Sequence, residues 1–229
     1  MKRVFPLLGG LTAVLLSYAL YQAMVVAPTD QLQGEVYRII YYHVPSAWTA
    51  FVLFFVNFVA SIVYLIRRSA KADMIALVTA EVGVVFCTVV LVTGPIWARP
   101  VWGIWWTWDL RLTLTLVLWL IYVSYLMLRR FSSSGQTPVI AAVLAIFGAL
   151  DMPLVYFSIW YFRTQHPSPV IGGGGSIDPV MLRVWMINWA AFLCFAFMVC
   201  WSRYRLERLQ REVEEMQALE SMIEPRSAT

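Results

Sequence analysis

Six apolar stretches, each long enough to cross a lipid bilayer, leave this chain of 229 residues little room to be anything but a membrane protein. They run over residues 5–27, 47–66, 74–97, 110–128, 138–162 and 180–201. A hydrocarbon core of about 30 Å needs roughly 20 apolar residues at about 1.5 Å of helical rise each. None of the six alternates polar with apolar as a barrel strand does, so only helices satisfy the backbone in lipid. Composition agrees: 61% of residues are hydrophobic, 13% are charged, and the mean hydropathy is +0.71. Soluble domains carry about 25% charged residues. These values exclude an ordinary soluble domain, a disordered tail and a nucleic-acid binder. The expected architecture is an all-α polytopic membrane protein with six transmembrane helices. Residues 1–201 form the six-span domain, with a tryptophan-rich outer loop at 97–109, and residues 202–229 form a tail.

Basic residues set the expected orientation. The first stretch starts with Lys2 and Arg3, as signal peptides do. Its apolar run is too long for one and lacks a small-x-small cleavage site, so it reads as an uncleaved span. With the N-terminus inside, 12 of the 17 basic residues fall on inner segments: Lys2, Arg3, Arg67, Arg68, Lys71, Arg129, Arg130, Arg203, Arg205, Arg208, Arg211 and Arg226. The outer segments hold Arg38, Arg99, Arg111, Arg163 and Arg183. This bias predicts both termini in the cytoplasm and explains the +4 net charge without an acidic partner. It also puts both histidines, His43 and His166, on the outer face with the densest tryptophan cluster. In the tail, Leu206, Leu209, Val213 and Met216 recur at spacings of three and four among Arg and Glu. That pattern is a short amphipathic helix extending the last span, either solvated or docked on another subunit.

The cysteines, Cys87, Cys194 and Cys200, lie inside apolar spans and act as small hydrophobes. There is no C-x-x-C for thiol exchange and no C-x-x-C-H for covalent haem attachment. No phosphate loop, zinc-protease helix or nucleophile elbow is present either. The run Gly172–Gly175, set among Pro167, Pro169 and Pro179, reads as an outer loop and not a phosphate cradle.

The chemistry-bearing residues gather on the outer side. Residues 97–109 hold five of the 11 tryptophans: Trp97, Trp102, Trp105, Trp106 and Trp108. Indoles at a headgroup belt are common, but belts usually place one or two per helix end. Five in one short segment also make a shelf for a flat apolar ligand, with indole N–H donors at hand. Asp109 precedes a helical run and is a good N-cap. His43 precedes the second span and His166 follows the fifth. Either alone would be an ordinary polar tip. Together, beside an aromatic shelf, they match what a bis-His haem site needs, one nitrogen on each face of the ring. Haem propionates would need cations, and the five outer arginines are the candidates. Zinc needs three or four ligands, which two histidines and Asp109 barely supply.

Two acids lie inside spans, Glu81 and Asp151. Each costs about 2.5–3.5 kcal/mol at mid-bilayer by insertion scales. They support an alternative function, a proton- or ion-coupled transporter, although no internal repeat or pair of broken helices accompanies them. Asp151 precedes Pro153, so it is also placed to help satisfy carbonyls freed by a proline kink. A quinone-linked redox enzyme with fixed haem is a third reading.

The segment Trp102-Gly103-Ile104-Trp105-Trp106-Thr107-Trp108-Asp109 resembles the WWD signature of haem-handling proteins in cytochrome c biogenesis. Among them the chain is similar to the six-span family of cytochrome c maturation protein C (CcmC). Arg111-Leu112-Thr113 after the aspartate, Tyr42-His43-Val44-Pro45-Ser46-Ala47-Trp48 and Thr93-Gly94-Pro95-Ile96-Trp97 carry the likeness. After the fifth span the chain departs from the family's pattern, with Trp160-Tyr161-Phe162 and then Gln165-His166-Pro167. The resemblance implies a non-enzymatic subunit of the bacterial inner membrane that holds b-type haem without a covalent bond, at the periplasmic face. It implies His43 and His166 as iron ligands, with Trp97, Trp102, Trp105, Trp106, Trp108, Asp109, Arg99, Arg111 and Arg38 around the ring. The implied partners are the periplasmic haem chaperone CcmE, the ABC transporter subunits CcmA and CcmB, and the single-span subunit CcmD.

Overall fold

The structure is a computed structural model that describes residues 4–132, 134–162, 164–168 and 177–223. Lys2, Arg3, Arg163, Arg226 and the Gly172–Gly175 run lie outside the described residues. Among those described, six helical segments are long and apolar enough to cross a membrane. The first span is α1 (Val4–Tyr21) with a π-turn over Gln22–Val26. A 3-10 turn (Glu35–Ile39) leads into α2 (Ile40–Arg67). Then come α3 (Ala70–Trp102), α4 (Leu110–Phe131), α5 (Thr137–Ala149), α6 (Asp151–Tyr161) and α7 (Pro179–Ile223).

Local chemistry sets these boundaries. The turn between α2 and α3 is tight because Arg68 takes a left-handed conformation (φ 51°) and Ser69 accepts the Ala72 N–H as an N-cap. Helix α3 stops at Gly103 (φ 80°), whose N–H closes back on the Arg99 carbonyl. A side chain at that φ would be strained, so glycine ends the helix. Asp109 and Asp178 cap α4 and α7 by accepting N–H bonds from their first turns. The fifth span breaks at Leu150, between α5 and α6. Pro153 has no N–H to give the Ala149 carbonyl and its ring crowds it, so the expected kink is there. The expected role of Asp151 is not seen: its buried Oδ2 has no partner among the described residues.

Close backbone approach builds the core. Phe54 of α2 stacks on Tyr122 of α4 at 3.8 Å and 9°. A Cβ on Gly83 would lie 2.6 Å from the Phe54 ring, and one on Gly148 would lie 2.8 Å from Ile121. Asn188 of α7 donates to the Ala19 carbonyl of α1, and Asn57 of α2 to the Ala76 carbonyl of α3. Leu7, Ile66, Phe131 and Phe147 stay exposed, on a surface that only lipid would cover.

The end of the bundle that carries the tail is held by ion pairs. Asp73 receives both terminal nitrogens of Arg129 and, at 2.8 Å, Nη2 of Arg211. Arg211 also meets Glu207. About two turns back along α7, Arg203 binds both carboxylate oxygens of Glu81 at 2.8 Å. Glu81 is therefore neutralised within the fold by a neighbouring helix. The tail extends the last span as expected: α7 runs without a break through residues 201 and 202.

Candidate functional site

The opposite end brings the outer candidates together, with two differences from the expected layout. His43 does not precede the second span but sits within the first turn and a half of α2. Trp97, Arg99 and Trp102 belong to the last turns of α3, so the connecting loop is only 103–109. In both places the helix continues past the point where apolar residues run out. Backbone hydrogen bonds, not side-chain hydropathy, decide where a helix stops.

His43 is half-buried between α2 and α3. Its Nδ1 lies 2.8 Å from Thr93 Oγ1. Thr93 in turn donates its hydroxyl proton to the Val89 carbonyl at 2.7 Å. A hydroxyl has one proton, so toward His43 the oxygen can only accept. In the neutral ring Nδ1 therefore carries the hydrogen, and Nε2 keeps the lone pair. His166 reaches the same state by another route. Its Nδ1 is 3.0 Å from the Pro167 carbonyl, which only accepts, so here too Nε2 is left bare. Desolvation, with help from the Arg111 cation, pushes the His166 imidazole down to about 4, so the ring is neutral at pH 7.

The two rings share their surroundings. The titratable neighbours of His43 are His166 and Arg111, and those of His166 are Arg111 and Asp109. Asp109 ties the parts together. Its Oδ1 accepts the Arg111 and Leu112 N–H groups at the head of α4, and its Oδ2 accepts the Gln165 N–H at 3.0 Å. Burial opposes its charge, but bonds from the Thr164 hydroxyl and the Leu112, Gln165 and Arg111 N–H groups outweigh it and hold the carboxyl below its ordinary range. An open cleft of about 450 Å³ is lined by Thr107, Trp108, Asp109, Thr164 and Gln165.

The tryptophans divide into two pairs. Trp97 and Trp102 meet edge to face at 4.9 Å, and the Trp97 indole donates to Gln33 Oε1. Trp106 and Trp108 meet likewise at 5.8 Å. Trp105 and Trp108 present 59% and 76% of their surface, a large exposure for indoles unless something covers them. Trp106 Nε1, Thr107 Oγ1 and Arg111 Nη1 are buried and have no hydrogen-bond partner among the described residues. Buried unpaired donors are costly, and three at one rim suit a ligand that brings acceptors. The arginines differ. Arg111 has Nη1 unpaired among the described residues, and Arg99 donates to the Gly103 carbonyl at the exposed edge. Arg38 is engaged with Glu35 and with the Ala23 and Ala27 carbonyls at the end of the first span.

Three contributors escaped sequence reasoning. Thr93 enters the sequence reading only inside a segment of family likeness, with no role of its own. Thr164 and Gln165 act through one hydroxyl and one backbone N–H. Trp48, Trp185 and Trp189 form a second aromatic cluster, with Trp48 5.0 Å from each of the others. Only its mixed origin in α2 and α7 hid it.

The chain is similar to several known proteins. The family described as Heme exporter protein C matches residues 1–219. A Heme exporter protein C of Bradyrhizobium diazoefficiens is 35% identical over 222 residues, covering 96% of this chain and 84% of that protein. The Haemophilus influenzae protein of the same name is 32% identical, covering 93% and 87%. That of Escherichia coli K12 is 33% identical, covering 82% and 76%.

Proposed function

This chain belongs to the Heme exporter protein C family, and on that premise we propose that it binds haem and delivers it for cytochrome c maturation. His43 and His166 hold the iron through Nε2. The observation that carries this reading is the matched state of the two imidazoles. Both have Nδ1 occupied by an acceptor and Nε2 bare, at one end of the bundle. A neutral ring with its outer N–H fixed is the form in which histidine ligates a metal.

The surrounding residues suit a porphyrin. Trp105 and Trp108 offer open indole faces, and the unpaired Trp106 and Arg111 nitrogens offer donors to a propionate. Arg99 is placed at the rim to assist. Arg38 contributes by closing the end of the first span. When bound, haem supplies the iron and the ring; the chain's own groups orient and shield it and make no bond. The protein therefore acts as a binding and transfer subunit of the bacterial inner membrane. Its termini lie in the cytoplasm and its histidine end faces the periplasm. A periplasmic chaperone of the CcmE type takes the haem by bringing a competing ligand, beside CcmA, CcmB and CcmD.

The test uses full-length protein purified in detergent with haem. The His43→Ala/His166→Ala double variant is expected to lose bound haem, and wild type to lose haem to added CcmE-type chaperone. Full haem content with an unchanged Soret band in the double variant would overturn the ligand assignment. Haem that never leaves wild type would favour a fixed redox cofactor.

A further inference from the structure

The two histidines are held unequally, and this difference rests on Thr93. We infer that Thr93 is a positioning residue: it fixes the His43 ring so that Nε2 faces the site, and makes His43 the anchored ligand of the pair. This inference depends on the haem reading above.

His43 and Thr93 stand on different helices, α2 and α3, which pack along one another more extensively than any other pair. Their 2.8 Å bond therefore crosses a helix–helix interface. The Thr93 hydroxyl is itself locked by its bond to Val89, one turn back, so it cannot rotate to offer its proton. The His43 Cε1 also lies beside the Gly94 backbone, 3.5 Å from where a Cβ there would sit, an ordinary contact distance. Helix α3 thus presents a hydroxyl to Nδ1 and a bare backbone beside Cε1. His166 has no equivalent. Its Nδ1 bonds to the carbonyl of its own neighbour, Pro167, and its segment is tied to the bundle through Gln165 and Asp109. His166 is thus bonded within its own segment, whereas the bond of His43 ties it to a second helix.

An acceptor on the outer N–H makes an imidazole a stronger donor to iron, and partners of this kind typically alter metal affinity about 10–100-fold. Thr93→Val keeps the shape of the side chain and removes the oxygen. Thr93→Ser keeps the oxygen.

The experiment titrates haem into detergent-solubilised full-length protein and follows affinity, visible spectrum and midpoint potential. Thr93→Val should weaken binding about 10–100-fold and raise the potential, since a less basic ligand favours the ferric state less. Thr93→Ser should stay close to wild type. A double-mutant cycle settles the route. The Thr93→Val penalty should persist in His166→Ala and vanish in His43→Ala. If it persists equally in His43→Ala, or if Thr93→Ser is as impaired as Thr93→Val, Thr93 does not act through His43 and the inference fails. If His43→Ala itself leaves affinity and spectrum at wild-type values, the haem reading fails with it.

Discussion

Asp109 does two jobs with two oxygens. Oδ1 starts helix α4 and Oδ2 holds the segment that carries His166. Asp109→Asn separates them. Asparagine caps a helix about as well as aspartate, so the fold should survive. Its amide NH2, however, must face N–H groups on one side or the other, whichever way it is turned. We expect a loss of about 1–3 kcal/mol in haem binding, read as weaker affinity in a haem titration with an unchanged melting temperature. Gly83 is a residue-scale constraint of another kind. A Cβ there would meet Phe54, which is fully buried and clamped against Tyr122. Gly83→Ala should therefore destabilise the bundle by about 1–3 kcal/mol, seen as a lower melting temperature in detergent. Neither the role of Thr93 beside His43 nor that of Gly83 was legible in the sequence. A threonine among valines and a glycine in an apolar run carry no pattern, because their importance lies in what another helix places opposite them.

Helices α3, α4 and α7 meet at Asp73, which is 4% exposed and carries two arginines. Removing its charge leaves Arg129 buried without a counter-ion. Loss of one partner of a buried pair costs about 3–5 kcal/mol. Asp73→Asn should lower the melting temperature accordingly while leaving the haem spectrum intact, because the site is at the other end. By contrast the Arg208–Glu212 pair is exposed on one helix face, and Arg208→Ala should change stability by less than about 0.5 kcal/mol. Elements were the most legible scale. Lipid leaves no other way to satisfy a spanning backbone, so the six apolar runs marked six spans, and Pro153 marked the break in the fifth. Their ends were less legible. Hydropathy falls at Trp97 and rises only after His43, yet α3 runs on to Trp102 and α2 already contains His43. The Asp73–Arg129 pair joins residues 56 apart, which no local pattern announces.

At the scale of the whole molecule, the bundle has two ends with different work. One is tied by Asp73, Glu81 and their arginines, and the other exposes indoles beside two neutral imidazoles. The grouping of His43, His166 and Asp109 could be expected from sidedness alone, since odd and even connections alternate across a membrane. The tautomer of each ring could not, because it depends on Thr93 and on the Pro167 carbonyl. Visible and electron paramagnetic resonance spectra of the haem-loaded protein test directly whether these rings share one iron. Wild type should be six-coordinate and low-spin. His43→Ala and His166→Ala should each turn any remaining haem five-coordinate and high-spin, and added imidazole should restore the low-spin signal. A low-spin spectrum that persists in either single variant without imidazole would mean that the iron is held elsewhere.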